Sequence, residues 1–531
     1  MQREGKHVLS HTAIYLVARG VPGMLSFLAI RLFTDRMRDY EYGKYNLIVN
    51  TANLFNALIF QWIRLSLVRY LHSYSDNAQD TRNFKSTLQS ITITLILALG
   101  ALAALVLLLP VPAVLADFAR EWKPLILPVW FMLAVQALFE LFCENSRALL
   151  RPWQFMWMQV ARSAGNVGIG LLVLTKGVQY FPTLEHYKHI GPLTGVTIGM
   201  VIAMAIAYWK DWTGIPWKID GEILRKIAQY GLPISLTVAL ASVIGTSDRY
   251  LLVIRLGKDA GESAAGLYSA GVDLTTQTLT LVLMVVNLAV FPLAVRAFEK
   301  QGKEAAQEQM RYNASLLMSV GIPCAIGMAV LAPGIAHNFL GADYRSTAAS
   351  IIPLIALGAF LAGFKAYHFD AAFQFAHRTA NQVWIVLVVA VLNIVLNWIA
   401  IPHWKINGAA GASVLAYVIS IGLTAWLGRK HFALPFPFRQ SLQVLLAGII
   451  MGLMLFPFRQ SVDKMYFIPQ VIVGGLIYCG MLYSMNFMDM RSAIMSRLRK
   501  MVSPTANVEN ESPVDIPETE LEPAAVNSLQ P

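Results

Sequence analysis

A chain of 531 residues with 56% hydrophobic and 14% charged side chains, against about 25% charged in a soluble domain, cannot cover its own surface with polar groups and must face lipid. The formal charge of +11 would suit nucleic acid, but the basic residues sit at the ends of apolar runs, where membrane topology needs them, so nucleic acid is excluded as a partner. Cys143, Cys324 and Cys479 lie far apart in apolar stretches and offer neither a disulfide framework nor a metal spacing.

About fourteen spanning helices follow from the apolar runs, each needing roughly 20 residues. They are expected at 11–33, 45–67, 87–109, 124–145, 155–175, 190–209, 229–253, 266–291, 313–333, 347–370, 382–401, 408–428, 441–457 and 467–488. The first is too long for a signal peptide and has no small-residue cleavage site after it. An even number puts both termini on one side. That side carries about 23 Lys and Arg against about 13 on the other, so both termini are expected in the cytoplasm. No loop between spans is long enough for a folded catalytic domain. The tail after Val502 is acidic and Pro-rich and reads as disordered.

A charge inside a span costs at least about 2.5–3.5 kcal/mol, so such residues must face water or a partner. Residues at i, i+3, i+4 and i+7 share a helix face. The first span puts Thr12, Tyr15, Arg19, Pro22 and Ser26 on one stripe, with Arg31 off it at the outer end. In the second, Asn46, Asn50, Asn53, Gln61 and Arg64 fall in a narrow arc. The fourth aligns Gln136, Glu140, Glu144, Arg147 and Arg151, either as a salt-bridged gate or as the place where Glu140 or Glu144 takes up a coupling ion. The fifth aligns Gln159, Arg162, Ser163, Asn166 and Gly170. The seventh aligns Ser235, Ser242, Thr246 and Arg249, and the eighth Ser269, Asp273, Thr276, Thr280 and Asn287. Lys365 and His368 close the tenth.

Asn and Ser stripes alone fit a dry bundle with interhelical hydrogen bonds. Arginine cannot shed its proton, and Arg19, Arg64, Arg162, Arg249 and Lys365 outnumber the nearby carboxylates, chiefly Asp248 and Asp273. Scattered structural pairs are one reading. A shared cationic lumen for an anionic substrate is the other, since an Arg fork matches phosphate oxygens. Asp273 is a further candidate for titration by a coupling H+ or Na+.

The halves echo each other. Gly20-Val21-Pro22 in the first span, followed by Tyr42-Gly43-Lys44-Tyr45, matches Gly231-Leu232-Pro233 in the seventh, followed by Gly266-Leu267-Tyr268. Six helices separate the copies, so the repeat is parallel, about an axis along the membrane normal. Pro22 and Pro233 each free a backbone carbonyl and permit bending, or fix a kink.

These motifs resemble a known family. RLFTDRMRDYEYGKYNLIVN with IRLSLVRYL, YGLPISLTVALASVIGTSDRYLL with AGLYSAG, and INGAAGASVLAYVIS are similar to the Wzx-type O-antigen and exopolysaccharide flippases of the multidrug/oligosaccharidyl-lipid/polysaccharide (MOP) exporter superfamily. The resemblance implies an all-α polytopic protein with a MATE/MurJ-like V-shaped fold: two pseudo-symmetric six-helix bundles at 1–210 and 211–430, two further helices at 431–490, and a cytoplasmic tail at 491–531. It implies alternating access in the bacterial inner membrane, carrying an undecaprenyl-diphosphate-linked repeat unit. The implied partners are the lipid-linked oligosaccharide, membrane lipids, and a glycan polymerase with chain-length or export proteins. No cofactor is implied beyond a coupling H+ or Na+.

The matching cavity candidates are Arg19, Asn53, Gln61, Arg64, Arg162, Asn166, Arg249, Asp273, Thr276 and Lys365. Gate or coupling candidates are Glu140, Glu144, Arg147 and Asp273. A drug/cation antiporter of the same superfamily is disfavoured, because the apolar part of the first span offers Arg19 and no carboxylate. A glycan polymerase or glycosyltransferase would rest on Asp35, Asp39 and Glu41 in the first outer loop.

Overall fold

The computed structural model describes residues 20–75, 77–109, 116–376 and 379–492. Thr12, Tyr15, Arg19 and the tail after Ser492 lie outside the described residues. Among those described there is no strand. The helices in chain order are α1 (Gly20–Thr34), α2 (Asp39–Ile59, resuming as Gln61–Tyr70), α3 (Ala78–Leu108), α4 (Ala116–Ala148), α5 (Pro152–Leu172), α6 (Ile190–Asp211), α7 (Gly221–Leu256), α8 (Lys258–Gln301), α9 (Lys303–Val330) and α10 (Arg345–Phe364). The stretch Thr379–Arg429 bends at Lys405, where φ is 47°, and so forms α11 (379–404) and α12 (406–429). Helices α13 (Phe438–Leu455) and α14 (Lys464–Ser484) follow, and shorter helices such as Ala332–Phe339 lie between the long ones.

Ten of the described helical stretches are long and apolar enough to cross a membrane, and the chain is a multi-pass membrane protein. Helices α2 and α5 are not among the ten. The polar stripes that mark them also lower their hydropathy.

The helices outrun the apolar stretches because their caps lie in polar sequence. The Asp220 side chain accepts from Glu222 N at 2.9 Å and Ile223 N at 3.1 Å, which starts α7 at Gly221, ahead of the apolar run that begins at 229. Gly257 and Gly302, with φ of 83° and 88°, stop α7 and α8 in a conformation that costs glycine little. Helix α2 was expected unbroken but interrupts at Phe60, whose φ is −113°. The fifth and tenth spans end in π turns, Val173–Gly177 and Lys365–Phe369, which periodicity at 3.6 residues does not register.

The first bundle has one core drawn from α2 to α6 and the start of α7, with Phe60, Ile63, Leu67, Phe84, Phe139 and Trp212 nearly inaccessible. Helices α5 and α6 meet through glycines. A Cβ on Gly165 would lie 2.5 Å from Gly199 Cα, and one on Gly199 2.8 Å from Ala161 O. Close backbone approach replaces the hydrophobic drive that lipid cannot supply. The second bundle is packed by smaller clusters, one joining Leu252, Tyr268, Ile351 and Ala409, another Phe373, Val389 and Ala416. Helix α13 lies on α9, with Gly448 and Gly452 against Ile326.

The chain divides into Met1–Tyr478 and Cys479–Pro531. The described part of the second unit finishes α14 and turns at Asn486, where φ is 50°. There Arg491 donates to the carbonyls of Tyr483 and Ser484.

Candidate substrate cavity

The interruption at Phe60 sets Gln61 and Arg64 facing α4 and α5. Together these helices enclose a cavity of about 180 Å³ whose polar lining is Gln61, Arg64, Glu140, Glu144, Arg147, Gln159 and Arg162. Arg64 forms an ion pair with Glu140 and donates to Gln61 Oε1. Gln136 Nε2 donates to both Asn53 Oδ1 and Glu140 Oε1, each at 2.8 Å, which fixes the carboxylate. Glu144 pairs with Arg147 at 2.6 Å. Arg151 instead reaches Asp211 on α6 at 2.5 Å.

Arg162 differs from these. It forms no ion pair among the described residues, and its guanidinium lies 5.7 Å from the centre of the Phe139 ring. Beside it on α5, Gln159 points at Cys143 Sγ, 4.0 Å away. One turn further Asn166 stands next to Tyr45, with a buried Oδ1 that has no hydrogen-bond partner among the described residues. The arc on α2 is thus divided. Asn53, Gln61 and Arg64 serve the cavity, whereas Asn46 and Asn50 bond the carbonyls of Tyr42 and Asn46 on their own helix, at 3.1 and 2.7 Å.

A second polar cluster sits in the other bundle. Arg249 Nη2 meets Asp273 Oδ1 at 3.2 Å, its Nε donates to Ser269 Oγ at 2.9 Å, and Nη1 donates to Gly245 O at 2.9 Å. Tyr42 of the first bundle donates to the same Asp273 at 3.4 Å. The adjacent carboxylate, Asp248, is 3% exposed and is held by neutral donors: Tyr268 OH at 2.6 Å, Ser413 Oγ at 2.7 Å and Asn397 Nδ2 at 2.8 Å. A cavity of about 130 Å³ opens onto it and includes Thr276, Thr280 and Tyr417. Lys365 lines neither cavity. It is buried on the π turn and neutralised by Asp370, at 2.7 and 3.0 Å.

The cationic surplus read from the sequence is therefore smaller in space. Arg64, Arg147, Arg249 and Lys365 each have a carboxylate of their own. Arg162 keeps an uncompensated charge toward the first cavity, and Arg19 lies outside the described residues. Sequence reasoning passed over the set around Asp248. Its available signal was Asn393 and Asn397, four residues apart on an otherwise apolar helix.

A sequence profile described as polysaccharide biosynthesis protein matches residues 8–298, more than half of the chain. The chain belongs to this family. Among curated relatives of this family member, an uncharacterised membrane protein of Methanocaldococcus jannaschii is 24% identical over 49% of the chain and 50% of its own length. The "Probable low-salt glycan biosynthesis flippase Agl15" of Haloferax volcanii is 22% identical over 63% of the chain and 66% of its own length. The chain thus spans half to two thirds of the length of these two relatives. Its fold is that of the solved lipid II flippase MurJ in an inward closed conformation, with a TM-score of 0.67 at 16% identity over 92% of this chain and 100% of that one. An inward-facing multidrug resistance MATE transporter of the MOP superfamily gives 0.54 at 12% identity over 78% and 97%.

Proposed function

We propose that this protein is a flippase that carries a polyprenyl-diphosphate-linked oligosaccharide across the bacterial inner membrane, for exopolysaccharide or O-antigen synthesis. The observation that carries the reading is Arg162, a guanidinium that has no carboxylate partner among the described residues and faces a cavity whose other cations are already neutralised. A diphosphate supplies the missing charge, and an Arg fork takes two of its oxygens. Gln61 and Gln159 offer amides to sugar hydroxyls beside it. The prenyl chain, in this reading undecaprenyl, stays in lipid while the two bundles alternate access. No covalent step is required of the chain. The family membership and the flippase among its relatives support the substrate class.

Coupling to H+ or Na+ is read at Asp248 in preference to Glu140, Glu144 or Asp273. Those three face an arginine each, whereas Asp248 has neutral donors alone. An incoming cation at Asp248 would meet a carboxylate held by neutral hydrogen-bond donors, with Arg249 turned to Asp273. The glycan polymerase and export proteins remain proposed partners that receive the product.

The test is the sidedness of lipid-linked oligosaccharide in cells depleted of this protein. Accumulation in the cytoplasmic leaflet supports the flippase. Outward-facing units that fail to polymerise would point to an enzyme. Unchanged glycan with altered resistance to cationic compounds would point to a drug antiporter.

A further inference from the structure

The first cavity presents more acid than its three arginines suggest. Its charged lining is Arg64, Arg147 and Arg162 with Glu140 and Glu144, so its excess among the described residues is the one positive charge of Arg162. The pair of Arg64 with Glu140 is also turned unevenly. The Arg64 side chain is 8% exposed and that of Glu140 is 25% exposed, so the carboxylate is the member of the pair that meets the open space. Glu144, one turn further along α4, is 22% exposed. Two acid side chains thus form the α4 wall of the cavity, while Arg162 enters it from α5.

A diphosphate on Arg162 brings more negative charge than that excess can offset. The second polar cluster holds no reserve, since Arg249 is matched by Asp273 and Asp248 adds a negative charge. A further anion on the substrate would enter a cavity with no cation left for it. Size says which part of the substrate is affected. At about 180 Å³ the cavity is below the roughly 300–1,000 Å³ of sites that enclose a whole drug-sized ligand. It encloses at most the diphosphate and the sugar bonded to it, with the rest of the glycan outside. That sugar lies against Glu140 and Glu144. A sugar hydroxyl donates to a carboxylate in a charge-assisted hydrogen bond. An ionised sugar carboxylate has no proton to donate and meets its like charge.

We propose that this cavity selects an uncharged sugar next to the diphosphate, a hexose or an N-acylated hexosamine, and rejects a uronic acid there, with Glu140 and Glu144 as the discriminating residues. The proposal rests on the diphosphate reading of Arg162 given above and names the sugar class for the same site. Selection comes from repulsion of the wrong sugar as much as from bonds to the right one. It acts on the first sugar alone. Acidic sugars further along the repeat unit lie beyond the cavity and are tolerated.

The test measures binding of three farnesyl-diphosphate monosaccharides to the purified full-length protein. They carry glucose, glucuronic acid and glucuronamide, the last having the shape of the acid without its charge. The wild-type protein should bind the glucose and amide forms alike and the acid roughly tenfold more weakly or worse, with a gap that narrows as salt is raised. Glu144→Gln should bring the acid to within about threefold of the amide, and Glu140→Gln should act in the same direction. If neither variant accumulates, acid against amide on the wild-type protein still decides. Equal binding of acid and amide, or a gap that neither substitution narrows, would overturn the selection. So would an amide as weak as the acid, which would assign the discrimination to size. If none of the three binds, the diphosphate reading fails and the selection with it. If all three bind alike, that reading stands and only the selection falls.

Discussion

Replacing Arg162 isolates the anion-binding part of the mechanism. Its side chain has no carboxylate to strand among the described residues, so Arg162→Gln removes a charge without leaving one of them unpaired. What folding loses is the contact with Phe139, worth about 0.5–2 kcal/mol. What binding loses is a charge-assisted fork. Each hydrogen bond to a charged group contributes about 1.5–3 kcal/mol, and allowing for a half-wet cavity the pair is taken as roughly 3 kcal/mol. At 1.4 kcal/mol per decade, that weakens a diphosphate-linked lipid by about a hundredfold. Arg162→Lys keeps the charge but not the fork, and falls between. The assay is binding of a short-chain prenyl-diphosphate oligosaccharide to purified protein, beside the same sugar on a prenyl alcohol without phosphate. The phosphate-free lipid should bind both proteins equally. A glutamine variant that retains diphosphate binding within about threefold would refute the assignment, whatever its effect on export.

Arg64→Ala leaves Glu140 facing a cavity without its cation and should lower stability by about 2–3 kcal/mol. The double change with Glu140→Gln should recover most of that in thermal unfolding, since the stranded charge is gone. Lys365→Met should likewise destabilise by leaving Asp370 buried without its cation, with recovery by Asp370→Asn and no change in substrate affinity, because neither residue lines the two cavities described above. Asp248→Asn keeps polar atoms at the site but removes the charge, so export in vesicles should lose its response to a Na+ or proton gradient while the bound lipid is retained. Gly165→Val drives a side chain into Gly199 and should cost several kcal/mol through overpacking, read as loss of monodisperse protein on size exclusion.

The sequence reading and the structure agree where the information is local. Apolar runs located the long helices in chain order, and ten stretches of the described residues satisfy length and hydropathy, one of them, Gln382–Arg429, covering both α11 and α12. The stripe on α5 placed Arg162 and Gln159 on the face that lines the first cavity. Glu144 finds Arg147 three residues on, as helix geometry favours. Other features depend on contacts remote in sequence. Glu140 pairs with Arg64, on another helix, and Arg151 with Asp211, 60 residues away. Lys365 looked like a free cavity cation until the π turn brought Asp370 back to it. The pocket around Asp248 draws on α7, α8, α10 and α12, with a further donor, Asn397, from α11, so no single helix carries its pattern. The break at Phe60 has no proline or glycine to announce it. The repeat was visible as a motif, but the close approach of Gly43 to Glu262 and of Gly266 to Asp39 needed both copies in space.

The most direct test of the central claim is the leaflet in which completed lipid-linked oligosaccharide resides after this protein is depleted. An impermeant sugar-modifying reagent applied to intact spheroplasts and to inverted vesicles reads this. The account predicts that the oligosaccharide becomes protected in spheroplasts and modified in inverted vesicles, and that restoring the wild-type protein, but not Arg162→Gln, reverses the pattern. Oligosaccharide that stays accessible from outside after depletion would contradict it.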